Sequence, residues 1–148
     1  MIGLAFVAFV VCCVLPVAYL LATTLGADAV CLEGEEARRD AVKLRAHWTC
    51  SDEETASFRV AANQDSFPEI SRRTIEEYAR EIARITSGYF LSINHESEHP
   101  ISSGGARHLV VPRLLERAPG FRRLSRAPYW LRRGYVEELY RVQAEPPA

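Results

Sequence analysis

The chain has no C-x-x-C pair, no G-x-S-x-G elbow, no phosphate loop ending in G-K-S/T and no N-x-S/T sequon, since Asn63 and Asn94 are followed by Gln-Asp and His-Glu. These absences exclude thioredoxin-like redox chemistry, a hydrolase nucleophile elbow, Walker-type phosphate binding and N-glycosylation. Ile2 in place of glycine excludes N-myristoylation. Lysine is nearly missing, with Lys43 the lone example, a bias that follows base composition and carries no chemistry of its own. Internal repeats and low-complexity tracts are also absent.

Charge is missing altogether from Ile2 to Ala27, a run dominated by Val, Leu, Ala, Phe and Cys. A hydrocarbon core about 30 Å thick takes roughly 20 apolar helical residues, and a helix satisfies its own backbone polar groups there. The run is therefore expected to form one transmembrane helix over 1–27, kinked at Pro16 and ended near Gly26. Ala27-Asp28-Ala29 has the form of a cleavage site, which keeps an export signal as the alternative. Against that stand the missing basic residue ahead of the run and a length beyond the roughly 7 to 15 apolar residues of a signal peptide. Basic residues follow the run as Arg38, Arg39, Lys43 and Arg45. The positive-inside rule then makes this an integral, single-pass membrane protein with its C-terminal portion on the cytoplasmic, uncrossed side.

Between Cys31 and Cys50, the residues Ala37, Ala41, Leu44 and Trp48 recur at helical spacing and predict an amphipathic juxtamembrane helix over 28–52. A continuous helix would hold the two cysteines about 28 Å apart. A disulfide needs roughly 4.4 to 6.8 Å between Cα atoms, so a Cys31–Cys50 bridge requires the chain to fold back, and thiols are the favoured state.

A small, mainly helical α+β domain with about three short strands is expected over 53–118. Residues 57–62 alternate as a strand, and Ser66 with Glu69 has capping-box spacing. Ile75, Tyr78, Ala79, Ile82 and Ile85 form the apolar stripe of a helix over 67–86, with Gly88 as its cap. Further strands are expected at Tyr89–Ile93 and His108–Val111, and a short helix at 113–118.

The two parts of the chain carry opposite charge. Asp28 to Gly105 holds 15 acids and 9 bases, a net of −6, whereas Ala106 to Ala148 holds 9 arginines and 4 glutamates, a net of +5. Residues 119–148 read as a basic aromatic helix and tail, with Pro128 as first residue of the helix and Leu131, Tyr135, Leu139 and Val142 on one face. Phe121, Arg122, Arg123, Arg126, Tyr129, Trp130, Arg132 and Arg133 interleave rings with guanidiniums, which suits an anionic headgroup layer or an acidic protein surface. The same arginines could equally pair with acids of their own domain. No nucleic-acid motif accompanies the basic charge, and neither nucleic acid nor a small-molecule substrate is expected.

His95-Glu96-Ser97-Glu98-His99 satisfies H-E-x-x-H and, reversed, H-x-x-E-H. On a helix His95 and His99 would share a face and bind zinc, with Glu96, or Glu98 in the reversed reading, as the base toward metal-bound water. Glu116, Glu137, Glu138 or His108 would supply the third ligand. Gly88, the β-rich Tyr89–Ile93 and Pro100 make a solvated loop the preferred reading, with no metal or other cofactor.

These features lead to the expectation of a non-catalytic accessory, assembly or scaffold subunit of a larger membrane complex, contacting other membrane protein subunits. Two alternatives remain: a membrane-tethered zinc hydrolase using the HESEH segment, and a small exported viral or bacterial surface protein bridged through Cys31 and Cys50. No family resemblance emerges from these residues.

Overall fold

The computed structural model describes residues 6–10, 23, 24, 26, 30–32, 42–96 and 109–143. The chain divides into two compact units, 1–53 and 54–148.

In the first unit, β1 (Phe6–Val10), β2 (Val30–Cys31) and β3 (Val42–Ala46) form a parallel sheet in the order β1-β3-β2, with Phe6 opposite Val42 and Val10 opposite Ala46. A 3-10 helix, His47–Asp52, follows β3. The transmembrane helix expected over 1–27 is corrected here, because its Phe6–Val10 portion is a strand and no helix among the described residues is long and apolar enough to cross a membrane. A parallel strand buried on both faces reads as an uninterrupted apolar run, so hydropathy does not separate it from a membrane helix. Pro16, with Cys12 and Cys13, lies outside the described residues. Val42–Ala46 likewise replaces part of the amphipathic helix expected over 28–52. Cys31 and Cys50 are buried thiols.

The second unit is built on a mixed sheet of four strands, β4 (Phe58–Gln64), β5 (Thr86–His95), β6 (Phe121–Pro128) and β7 (Tyr135–Val142), in the order β4-β5-β7-β6. β4 and β5 are parallel, while β7 runs antiparallel to both β5 and β6. The crossover from β4 to β5 is α1 (Arg72–Ile85), and α2 (Val111–Leu115) lies between β5 and β6.

Ser71 caps α1, its Oγ accepting from the Thr74 backbone N–H at 3.2 Å, a contact worth about 1 kcal/mol. Ser66 and Glu69, spaced like a capping box, instead precede and close a 3-10 turn at Phe67–Glu69 that Ile70 ends in extended conformation, and Ser66 makes no side-chain cap bond there. Gly88 does not cap the helix either. It lies in β5, where an added Cβ would come within 2.1 Å of the Arg59 carbonyl oxygen, so its role is to let β4 approach.

The helices cover one face of the sheet. Ile75 and Ala79 of α1 and Val111 and Leu115 of α2 pack with Phe67 on Phe90, Tyr140 and Val142. Phe90 meets Phe121 edge-on at 5.6 Å between ring centroids.

The C-terminal helix expected over 119–148 is the β6–β7 hairpin. Val136, Glu138, Tyr140 and Val142 alternate inward along β7, which is a period of two. The expected strand at His108–Val111 is also absent among the described residues, since Val111 opens α2. A membrane-anchored, mainly helical α+β chain thus gives way to an α/β fold of seven described strands and two α-helices with described bounds.

Candidate functional site at the strand ends

In open α/β sheets ligands gather outside the carboxyl ends of the parallel strands. Here those ends are residues 63–66, where β4 finishes, and residues 94–96, where β5 finishes, joined by the start of β7 at Tyr135, which stands opposite His95. Two polar clusters meet at this edge, one on each face of the sheet.

On the helix-covered face, the Asn94 amide nitrogen donates to Asn63 Oδ1 at 3.0 Å and to Ser92 Oγ at 2.9 Å. The Asn63 amide nitrogen in turn donates to Ser66 Oγ. Asn94 is fully buried, and its Oδ1 has no hydrogen-bond partner among the described residues. A buried acceptor in that state is rare enough to call for an explanation.

Opposite Ser92 on β7 stands Glu138, whose carboxylate is fully buried. Its Oε1 accepts from Arg123 Nη1 at 3.0 Å and from Arg126 Nη1 at 2.8 Å, and its Oε2 accepts from the Tyr140 hydroxyl at 2.7 Å. Arg123 also donates to Glu116, and Arg126 to Glu96 at 2.9 Å. Burial, reinforced by the hydrogen bond to Glu138, pushes the Tyr140 phenol well above the ordinary tyrosine range, so it remains a donor. The hydrogen bond to Glu116 is the first cause holding the Arg123 guanidinium above its usual value.

On the other face, the His95 and Tyr135 rings lie 3.9 Å apart between centroids at 45°. The Tyr135 hydroxyl and Arg132 Nη1 both donate to the Asp65 carboxylate, and the Arg132 guanidinium sits 4.3 Å above the Tyr135 ring. Asp65 has φ of 56°, a left-handed conformation that aspartate tolerates better than most residues. The backbone N–H of Glu96 donates to the Gly134 carbonyl at 3.1 Å, which ties the β6–β7 turn to the end of β5.

His95 is therefore the last residue of a strand and not part of a zinc-binding helix, and Glu96 pairs with Arg126. His99 and His108 lie outside the described residues. Among the described residues no three His, Cys, Asp or Glu side chains gather to hold a metal. The residues read as a lipid- or partner-binding helix face are dispersed along the hairpin. Arg123 and Arg126 point to Glu138, Phe121 packs on Phe90, Arg122 is exposed on β6, and Tyr129, Trp130, Arg132 and Arg133 belong to the turn. Sequence reasoning missed Asn63, Asp65, Asn94 and Tyr135 as site residues; the signal available was polar residues clustering just past two apolar strand segments.

A groove of about 360 Å³ lies on the helix layer, lined by Arg72, Ile75, Ala79, Arg80, Leu115 and Arg117 among others, with none of the strand-end side chains.

No family model matches the chain, and no curated protein matches it. Solved structures do. The PH0226 protein of Pyrococcus horikoshii OT3 superposes with a TM-score of 0.59 at 14% identity, over 94% of this chain and 82% of that one. The Burkholderia thailandensis 1,6-didemethyltoxoflavin-N1-methyltransferase, solved with 1,6-didemethyltoxoflavin and S-adenosylhomocysteine, superposes with a TM-score of 0.59 at 17% identity, over 93% of this chain and 70% of that one. At such identities the likeness is one of fold. The tethered accessory subunit is corrected because no helix among the described residues spans a membrane, which also leaves the positive-inside argument no described span to orient. The zinc hydrolase loses its helix because His95 ends a strand, and the exported surface protein loses its bridge because Cys31 and Cys50 are thiols.

Proposed function

We propose that the chain is a methyltransferase that uses S-adenosylmethionine to methylate a small molecule, replacing the expectation that no such substrate is bound. The observation that carries this reading is the likeness, across 93% of the chain, to a methyltransferase holding the demethylated donor product. The polar strand ends support it, because parallel β4 and β5 present unlike groups at the edge where such folds bind ligands.

The residues present suit a nucleoside-containing donor. Its hydroxyl and amine donors need buried acceptors, and Asn94 Oδ1 is one, held in place because the amide nitrogen is committed to Asn63 and Ser92. Asp65, partly exposed and fixed by Tyr135 and Arg132, is a second acceptor at the same edge. When bound, S-adenosylmethionine supplies a methyl carbon on a positively charged sulfur, and transfer leaves the electron pair of the broken bond on that sulfur. The acceptor's nucleophilic atom uses its lone pair to form the new bond, and any proton it carries must leave. The His95 imidazole at the strand end is the side chain of the right chemistry to accept that proton.

Calorimetric titration with S-adenosylhomocysteine tests the reading. Saturable binding that Asn94→Ala weakens while the circular dichroism spectrum is retained is the expected result. Absence of heat with folded native protein would overturn it.

A further inference from the structure

The turn between β6 and β7 carries the most exposed large hydrophobic side chain described, Trp130 at 86%, beside Leu131 at 60%. Together these two adjacent side chains leave an apolar surface on the turn, headed by a flat indole face on which a ring can stack. The turn that presents it is braced: Arg132 N–H donates to the Tyr129 carbonyl at 3.2 Å, Tyr129 N–H to the Tyr135 carbonyl at 2.9 Å, and Glu96 N–H to Gly134. Gly134, at φ of 83°, lies close enough to His95 that an added Cβ would come 3.8 Å from Nδ1. The exposed indole is thereby carried on the same turn whose backbone is bonded to the end of β5 and whose Arg132 reaches Asp65.

Charge adds a second constraint. Arg132 is committed to Asp65, and Arg126 to Glu96 and Glu138. Arg133, exposed at the turn, has no acidic partner among the described residues, so the turn carries a surplus positive charge beside its aromatic face. A flat ring stacks on an indole, and an acidic substituent on that ring meets the guanidinium.

We propose that the Trp130–Arg133 turn is the wall against which the methyl acceptor lies, and that the acceptor is a planar aromatic molecule carrying a negative charge. This rests on the methyl-transfer reading, and the experiment separates the two. The chain has two tryptophans, so Trp48→Phe leaves Trp130 as the sole indole and its emission reports on the turn alone. Benzoate is the probe, with benzyl alcohol as the neutral ring and acetate as the charge without a ring.

Benzoate is expected to change Trp130 emission saturably, and acetate to leave it unchanged. Arg133→Gln should weaken benzoate roughly two- to fivefold, the scale of one exposed charge contact. Calorimetry on the otherwise native chain avoids any cost of the Trp48 substitution, and there Trp130→Ala should weaken benzoate roughly three- to tenfold. If S-adenosylhomocysteine binds but benzoate gives no saturable response, the wall is refuted and the donor reading stands. Equal responses to benzoate and benzyl alcohol would refute the charged acceptor. A benzoate response without S-adenosylhomocysteine binding would refute methyl transfer while keeping the turn as a ligand surface.

Discussion

The Glu138 cluster and the Asp65 cluster sit at the same end of the same sheet, yet one is sealed and the other is open. Glu138 is fully buried and receives two guanidiniums and a phenol, so both carboxylate oxygens are in use within the protein. Asp65 also has both oxygens engaged, by Arg132 and Tyr135, but it is about one-third exposed and its partners belong to a turn and a strand end at the carboxyl edge of the sheet, so exposure is what separates the two. A saturated buried carboxylate has little left to offer a ligand. The comparison therefore assigns the first cluster to architecture and the second to chemistry, and three variants can break that assignment.

The largest effect should come from Arg123→Met combined with Arg126→Met. This leaves the buried Glu138 carboxyl without either of its guanidinium partners, a loss of about 3–5 kcal/mol that urea denaturation would register. If stability falls by under about 1 kcal/mol, Glu138 is not the keystone described here.

Tyr140→Phe is intermediate, about 1–2 kcal/mol, because one buried acceptor loses its donor. Its pH dependence is diagnostic. The folded phenol binds its proton more tightly than the unfolded one, whose ordinary value is 10.0, so its contribution is complete below that value. The contribution is then lost as pH rises from there toward the higher folded value. Stability measured across the alkaline range should fall more steeply for the native chain than for Tyr140→Phe, and parallel curves would contradict the cause assigned to the shift.

Asp65→Asn should change stability least, by under about 1 kcal/mol, since asparagine tolerates the left-handed backbone and the lost ion pair is partly solvated. Binding of S-adenosylhomocysteine should nonetheless weaken measurably. Unaltered binding together with a large loss of stability would invert the comparison.

How much of this was legible depends on whether burial follows the apolar residues. α1 is readable because Ile75, Tyr78, Ala79, Ile82 and Ile85 all face inward or partly inward on one stripe. Its first turn is not, because Ser66 and Glu69 imitate a cap that Ser71 provides. β7 is hidden by Glu138, a charged residue at an inward position, which breaks the alternation and lets Leu131, Tyr135, Leu139 and Val142 pass for a helical stripe. β6 is an edge strand exposed along nearly all its length, so no burial pattern marks it. At the site, Asn63, Asp65 and Asn94 become significant only once β4 and β5 lie side by side, a long-range pairing that no local window contains.

α1 passes into β5 without an intervening residue, Ile85 closing the helix and Thr86 opening the strand. A junction with no slack cannot absorb rotation, so the amphipathic stripe and the pleat are indexed to each other like teeth on one gear. Adding a single residue there would turn every side chain from Thr86 to His95 onto the opposite surface, exchanging Asn94 with His95 and dismantling both clusters at once.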